Sequence, residues 1–386
     1  MQLDLVATST FGLEAVVMRE LAALGYDATS TQTGRVEFRA GQEAIARANL
    51  RLRSADRVLV RAAQFPAADF DALFDAVYEL PWEEWIGPED AFPVSGRSVK
   101  STLSSVPAVQ RTVKKAMVER LLRAHRVQSL PESGPVFAVE VALLKDTATL
   151  LIDTSGDGLH KRGYRDLVGA APLRETLAAA LVDLSFWKRG KALVDPFCGS
   201  GTIAIEAALL GRNIAPGLSR RFAAEDWPVL SEEIWTHAHE EARDLEVPDL
   251  GERIVATDID DEALSLARRH AHRAGVAADI HFQRLPFSEL SSSRPYGCIV
   301  TNPPYGVRLE HRDDVRSLYE SMPAVFASLP SWSFFVLTSW PDFERVLGRR
   351  ADRRRKLYNA QIECTYYQFH GPRPGRGLQG DERDRS

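Results

Sequence analysis

The 386-residue chain is poor in sulfur, with three cysteines and four methionines. Cys198, Cys298 and Cys364 form no Cys-x-x-Cys pair and have no regularly spaced histidine partner, which argues against a disulfide framework and a zinc knuckle. Free thiols and no bound metal are expected. No stretch approaches the roughly 18 apolar residues of a membrane span. Asp4 and Glu14 stand where a secretory signal would need a basic flank and an unbroken apolar run, so the expectation is a soluble, cytoplasmic protein with no membrane partner. Extremes of composition are also missing. With 45% hydrophobic and 26% charged residues, 25 glycines and 21 prolines, the chain is neither disordered nor collagen-like. Its length suggests two or three domains, and no internal repeat is visible.

What the net charge of −5 conceals is its distribution. Between Arg97 and Arg126, eight Lys/Arg face Glu119 alone, and between Arg345 and Lys356, seven face Asp352 alone. Fourteen acids crowd the interval from Glu225 to Glu262 against only Arg243 and Arg253. Two local cationic stretches in a protein of pI near 6.0 fit a polyanion binder with a confined footprint, although solvated helix faces would look the same.

Periodicity divides the chain. Residues 1–60 read as a small α/β unit: a strand at Leu3–Ala7, a helix at Gly12–Leu24 and a strand at Arg35–Phe38. Residues 61–155 read as a second α/β module. It contains the end of a strand at 54–63, a helix at 69–80, a basic amphipathic helix at 109–124, and a hairpin from two alternating runs at 137–144 and 147–153. A linker and apolar helix follow at 156–190. From 191 to 370 short apolar strands alternate with helices, the pattern of a parallel sheet whose ligands gather at the strands' C-terminal ends. Residues 371–386, rich in glycine, proline and charge, read as a disordered tail.

Three strand ends carry the chemistry. The first is Asp195-Pro196-Phe197-Cys198-Gly199-Ser200-Gly201-Thr202, a glycine turn between a buried strand and a helix whose free N–H groups face a ligand. It lacks both the dinucleotide G-x-G-x-x-G fingerprint and the lysine of a Walker loop. At the second, Thr257-Asp258-Ile259-Asp260, Asp258 is placed to accept from two ribose hydroxyls, and Asp260 is a helix N-cap. The third is Thr301-Asn302-Pro303-Pro304-Tyr305-Gly306. Its prolines remove donors and fix φ, and its Asn side chain, Pro303 carbonyl and Tyr ring suit the exocyclic amino group of a flat base.

In these motifs the sequence resembles the class I S-adenosylmethionine-dependent methyltransferases of the branch with an Asn-Pro-Pro-Tyr motif. It is closer still to the bacterial THUMP-domain RNA methyltransferases, through Asp153–Arg165, Ala171–Ala178 and Asn213–Gly217. The resemblance implies an α/β fold in which a ferredoxin-like and THUMP half that grips RNA precedes a Rossmann-like methyltransferase domain. It also implies S-adenosylmethionine as cofactor, and transfer to the 2-amino group of a guanosine, in large-subunit 23S ribosomal RNA rather than transfer RNA. Adenine 6-amino methylation and an inactive RNA-binding assembly factor are the alternatives. The expected catalytic residues are Asn302, Pro303, Pro304 and Tyr305, with cofactor contacts from Asp195 to Thr202 and from Asp258 and Ile259. Arg97, Lys100, Lys114, Lys115, Arg162 and Arg165 are the candidate phosphate contacts, Lys145 a weaker one. One departure stands out: Pro286 occupies the position where the family has an Asp against adenine.

Overall fold

The computed structural model describes residues 2–165, 173–305 and 312–373. Ala171, Pro172 and Gly306 of the motifs, and residues 374–386 of the expected tail, lie outside the described residues.

In chain order the elements begin with β1 (Leu3–Ser9), α1 (Glu14–Ala23), β2 (Ala28–Gln32), β3 (Arg35–Ala40), α2 (Glu43–Arg51), β4 (Ala55–Pro66), α3 (Phe70–Tyr78), β5 (Val94–Val99), α4 (Val106–His125), β6 (Val139–Leu144) and β7 (Thr147–Asp153). They continue with α5 (Glu175–Asp183), β8 (Leu193–Asp195), α6 (Thr202–Gly211), α7 (Glu232–Asp244), β9 (Ile254–Asp258), α8 (Asp261–Arg273), β10 (Ile280–Arg284), β11 (Cys298–Thr301), α9 (Arg312–Ser328), β12 (Ser333–Thr338), α10 (Phe343–Leu347), β13 (Arg353–Asn359) and β14 (Ile362–Phe369).

The chain forms two compact units. The first comprises residues 1–9, 17–159 and 220–244, the second 10–16, 160–219 and 245–386. Residues 220–244 thus fold with the first unit, although the sequence places them inside the 191–370 stretch. The reason is local: the Trp227 ring stacks on Phe137 at 4.4 Å, its indole N–H donates to the Val136 carbonyl, and Arg47 makes two bonds of 2.7 Å to Glu241 on α7. Residues 10–16 belong to the second unit, where Leu13 and Val16 are fully buried and Phe11 meets Tyr358 edge-on.

The first unit holds a seven-stranded sheet in the order β2-β3-β1-β4-β7-β6-β5, antiparallel except for the β5–β6 pair. Strand alternation puts Leu5, Val58, Val60, Leu150 and Ile152 on one face, and α2, α3 and α4 pack against the sheet. On the other face Val6, Leu59 and Leu151 form a small buried cluster.

The second unit's sheet runs β10-β9-β8-β11-β12-β14-β13, its first five strands parallel and β14 antiparallel to β12. The order reverses between β8 and β11, which opens a crevice at the C-terminal edge where ligands of such sheets bind. Glu206, Leu177 and Ala180 lie within the packed interior. The basic run at 349–356, read from sequence as an RNA contact or a solvated helix face, is not helical at its centre. Arg353–Lys356 open the edge strand β13, paired through Leu357 and Asn359 with β14.

Candidate active site

Three adjacent strands, β9, β8 and β11, end at one edge and deliver the three motifs side by side. After β8 the chain turns sharply. Gly199 (φ +50°) has open space where a Cβ would stand, whereas at Gly201 (φ +83°) a Cβ would press to 3.0 Å from Ala267. The turn feeds α6, whose N-terminal cap is Gly201.

Asp258 is braced by backbone donors. Its Oδ2 accepts from the Gly199 N–H at 2.8 Å and its Oδ1 from the Asp260 N–H at 3.1 Å, which leaves one lone pair on each oxygen for a further donor. Ile259 beside it is 65% exposed, an apolar side chain held out at the mouth. Asp260 caps α8 by accepting from Glu262 and Ala263 N–H. A glycine cradle, a half-used carboxylate and a bare apolar side chain together fit a nucleoside cofactor.

Asp195 behaves differently from Asp258. Buried at the switch point, it accepts from the Thr301 hydroxyl at 2.7 Å and the Phe197 N–H at 3.3 Å, and so joins the ends of β8 and β11. Burial outweighs these two hydrogen bonds and pushes its carboxyl up to about 7. Pro196, Cys198, Gly201 and Thr202 are likewise buried, while Phe197, Gly199 and Ser200 are half-buried.

On the third loop Asn302 is half-buried, Pro303 buried and Pro304 exposed. The Tyr305 hydroxyl donates to Asn302 Oδ1, its ring packs on the second unit's core, and Asn359 and Cys364 bear on the same hydroxyl. In this conformation the ring orients Asn302 instead of standing bare as a stacking platform. From beneath, Tyr319 donates to the Pro304 carbonyl at 3.2 Å and shares a 2.7 Å bond with Thr338.

The cationic candidates separate. Arg97 and Lys100 are exposed, and so is Lys115, which pairs with Glu119 at 3.7 Å. Lys114 is held to Glu132 at 2.6 Å and to the Phe92 carbonyl, above the Phe92 ring. Arg162 turns inward, 3% exposed, against the fully buried Glu206 on α6, which also accepts from Tyr164. Arg165 binds Glu175 at 3.2 Å, the Leu173 carbonyl and the Thr202 hydroxyl. These two arginines grip the glycine turn's helix from behind. Sequence reasoning gave no role to Thr301, which it quoted in the third motif, and passed over Glu175 and Glu206; for Glu206 the available signal was a lone acid inside the apolar run of α6.

At the Pro286 position the side chain is exposed. The following Phe287 is buried 5.0 Å from the Phe197 ring, and the Leu285 N–H donates to the Asp258 carbonyl.

A Rossmann-like sheet with this glycine turn, acidic strand end and Asn-Pro-Pro-Tyr loop defines a class I S-adenosylmethionine-dependent methyltransferase. Residues 162–368 match the family described as "RMKL-like, methyltransferase domain", residues 4–59 an RlmL ferredoxin-like domain and residues 67–153 a THUMP domain. The chain belongs to this RMKL-like methyltransferase family. It is 46% identical to the Bacillus subtilis protein named "Putative RNA methyltransferase YpsC", over 95% of both chains. It is 36% identical to the ribosomal RNA large subunit methyltransferase K/L of Syntrophotalea carbinolica, but spans only 53% of that protein. The solved structure of SMU.472 complexed with SAH superposes with a TM-score of 0.92 at 42% identity, covering 97% of this chain and 99% of that one. A Listeria monocytogenes structure described as a "predicted N6-adenine-specific DNA methylase" superposes with a TM-score of 0.93 at 47% identity, covering 96% and 97%. Among the described residues, no helix is long and apolar enough to cross a membrane, and no group of three or more His, Cys, Asp or Glu side chains is placed to hold a metal ion.

Proposed function

We propose that the protein transfers a methyl group from S-adenosylmethionine to the 2-amino group of a guanosine in RNA, with large-subunit ribosomal RNA as the substrate. The observation that supports this reading is that Thr301, the residue before Asn302, donates to Asp195 and so ties the Asn-Pro-Pro-Tyr loop to the strand end that opens the glycine turn. When bound, the cofactor offers a methyl on a sulfonium, so its leaving group is already activated by charge. The difficulty lies with the nucleophile, whose lone pair is delocalised into the purine ring.

Asn302 Oδ1 and the Pro303 carbonyl would accept both N–H bonds of the amino group and favour a tetrahedral nitrogen with its lone pair toward the methyl, an interaction strongest in the transition state. The proton lost after transfer is acidic and needs no strong base. Asp258 would take the ribose hydroxyls through its two remaining lone pairs. A base reaches this pocket only by leaving its stack, at a few kcal/mol, least in single-stranded or bulged RNA. The THUMP domain supports an RNA substrate, and the K/L name of two relatives supports a ribosomal one. The Listeria structure's description favours a second reading, adenine 6-amino transfer, by the same loop chemistry.

Nucleoside mass spectrometry on separated ribosomal and transfer RNA from a deletion strain and its parent decides between them. Loss of one 2-methylguanosine from large-subunit RNA is expected. Loss from transfer RNA alone would overturn the substrate, and loss of 6-methyladenosine would overturn the base. For the chemistry itself, Asn302→Ala should lower kcat about 10²- to 10³-fold with cofactor affinity retained; full activity would remove Asn302 from the reaction.

A further inference from the structure

One face of the first unit's sheet carries a charge imbalance. Arg35, at the start of β3, reaches Glu140 on β6 at 3.0 Å, although β1, β4 and β7 lie between those strands in the sheet order. Arg97 on β5 reaches the same carboxylate at 3.2 Å. Two guanidiniums share the Glu140 carboxylate, and Glu37, which also attracts Arg35, is itself paired with Arg61 at 2.7 Å, so these three arginines outnumber the two glutamates. Arg35 is buried, and desolvation first and the neighbouring Arg97 second lower its pKa against the pull of Glu140 and Glu37.

Around this pair lies a groove of about 590 Å³, within the range of small-ligand sites. Its walls add Lys145, Gln64 and the apolar Val99 and Leu144, which are 49% and 36% exposed, and no carboxylate is among its described lining residues. Lys100, next to Val99, is also exposed. Surplus cations beside an uncovered apolar surface match a polymer that presents a phosphate and a flat, unstacked ring at each step. A duplex offers the phosphates but keeps its rings stacked inside, so Val99 and Leu144 would gain nothing from it.

We propose that this groove binds a single-stranded segment of RNA, its backbone phosphates on Arg97 and Lys145 and a base against Val99 and Leu144. The proposal rests on RNA being the substrate and adds where, away from the methyl-transfer chemistry, the strand is held. It sets the two exposed cations of the groove above Lys114, Arg162 and Arg165, whose charges are spent within the fold.

The test uses the full-length protein, a fluorescein-labelled single-stranded 12-mer RNA and a hairpin duplex, with anisotropy read from low to high salt. Arg97→Ala/Lys145→Ala should weaken single-strand binding at least tenfold and flatten the salt slope by about 1.4, since each phosphate no longer neutralised removes about 0.7 from it. Cofactor affinity and Tm should stay unchanged. A second variant, Val99→Asp/Leu144→Asp, should weaken the single strand more than the duplex. Unchanged affinity and slope in both variants would overturn the proposal, as would equal losses for strand and duplex. Transfer of labelled methyl by the wild type is scored in parallel. Transfer without any binding defect in the variants sinks this inference alone, whereas binding defects without transfer in the wild type sink the catalytic reading alone.

Discussion

Arginines do opposite work in the two units. In the first, Arg35 and Arg97 divide one glutamate between them, and Arg97 stays largely open to solvent. In the second, Arg162 meets Glu206 and Arg165 meets Glu175 one to one, all four side chains largely sealed from water. A sealed one-to-one pair has no charge to offer a ligand, whereas a two-to-one cluster at an open face does. What separates a structural cation from a recruiting one is therefore its counter-charge and its exposure.

Arg162 gives the most severe test of that contrast. Its replacement by Ala strands Glu206 as a buried lone charge, and unfolding experiments in urea should show a loss of about 3–5 kcal/mol. Arg162→Met with Glu206→Leu should recover most of it; a single variant as stable as the wild type would mean the pair is not sealed in solution.

Asp195 extends the contrast to a buried acid held by neutral donors. Its folded pKa of about 7 lies above the ordinary 3.8, so the native state binds the proton more tightly than the unfolded chain does. Its contribution to stability is then full below about pH 4 and lost as pH rises through 7, a few kcal/mol at ~1.4 kcal/mol per unit. Asp195→Asn should flatten that part of the profile of Tm against pH. An Asn variant that retains the full wild-type slope would assign the dependence to another group.

Asp258, braced only by backbone N–H groups, should matter less to folding and more to binding. Asp258→Ala is expected to raise the calorimetric Kd for S-adenosylmethionine about 10- to 100-fold, the worth of hydrogen bonds to a charged acceptor. An unchanged Kd would remove the ribose role. The smallest effect belongs to Lys115, whose exposed pair with Glu119 should contribute under about 1 kcal/mol, so Lys115→Ala should leave Tm nearly unmoved.

Much of the second unit was legible because its strands are short, apolar and closed by turn residues. Cys298–Thr301 and Ser333–Thr338 are two such strands. The helix over 43–51 was passed over, although Ala44, Ile45, Ala48 and Asn49 recur at helical spacing on its buried side. The strand Val94–Val99 was hidden by Ser95, Gly96, Arg97 and Ser98, residues that read as loop until a parallel neighbour in β6 pairs with them. At the site, the motif loops announced themselves through Gly and Pro. The partners that fix them, Arg165 against Thr202 and Thr301 beside Asp195, come from segments far apart in sequence, and only the folded chain brings them together. The same limit hid the inward turn of Arg162.

The basic start of β13 has a consequence for solubility. As the outermost strand of its sheet, β13 has one side with no neighbouring strand among the described residues, the kind of edge on which another chain can add itself. Arg353, Arg354, Arg355 and Lys356 stand in succession along it, and Glu344 and Glu363 neutralise only part of that charge. A second copy approaching in the same register meets its own cations, so the run that resembles a nucleic-acid contact in the sequence also serves as a gatekeeper against edge-to-edge aggregation.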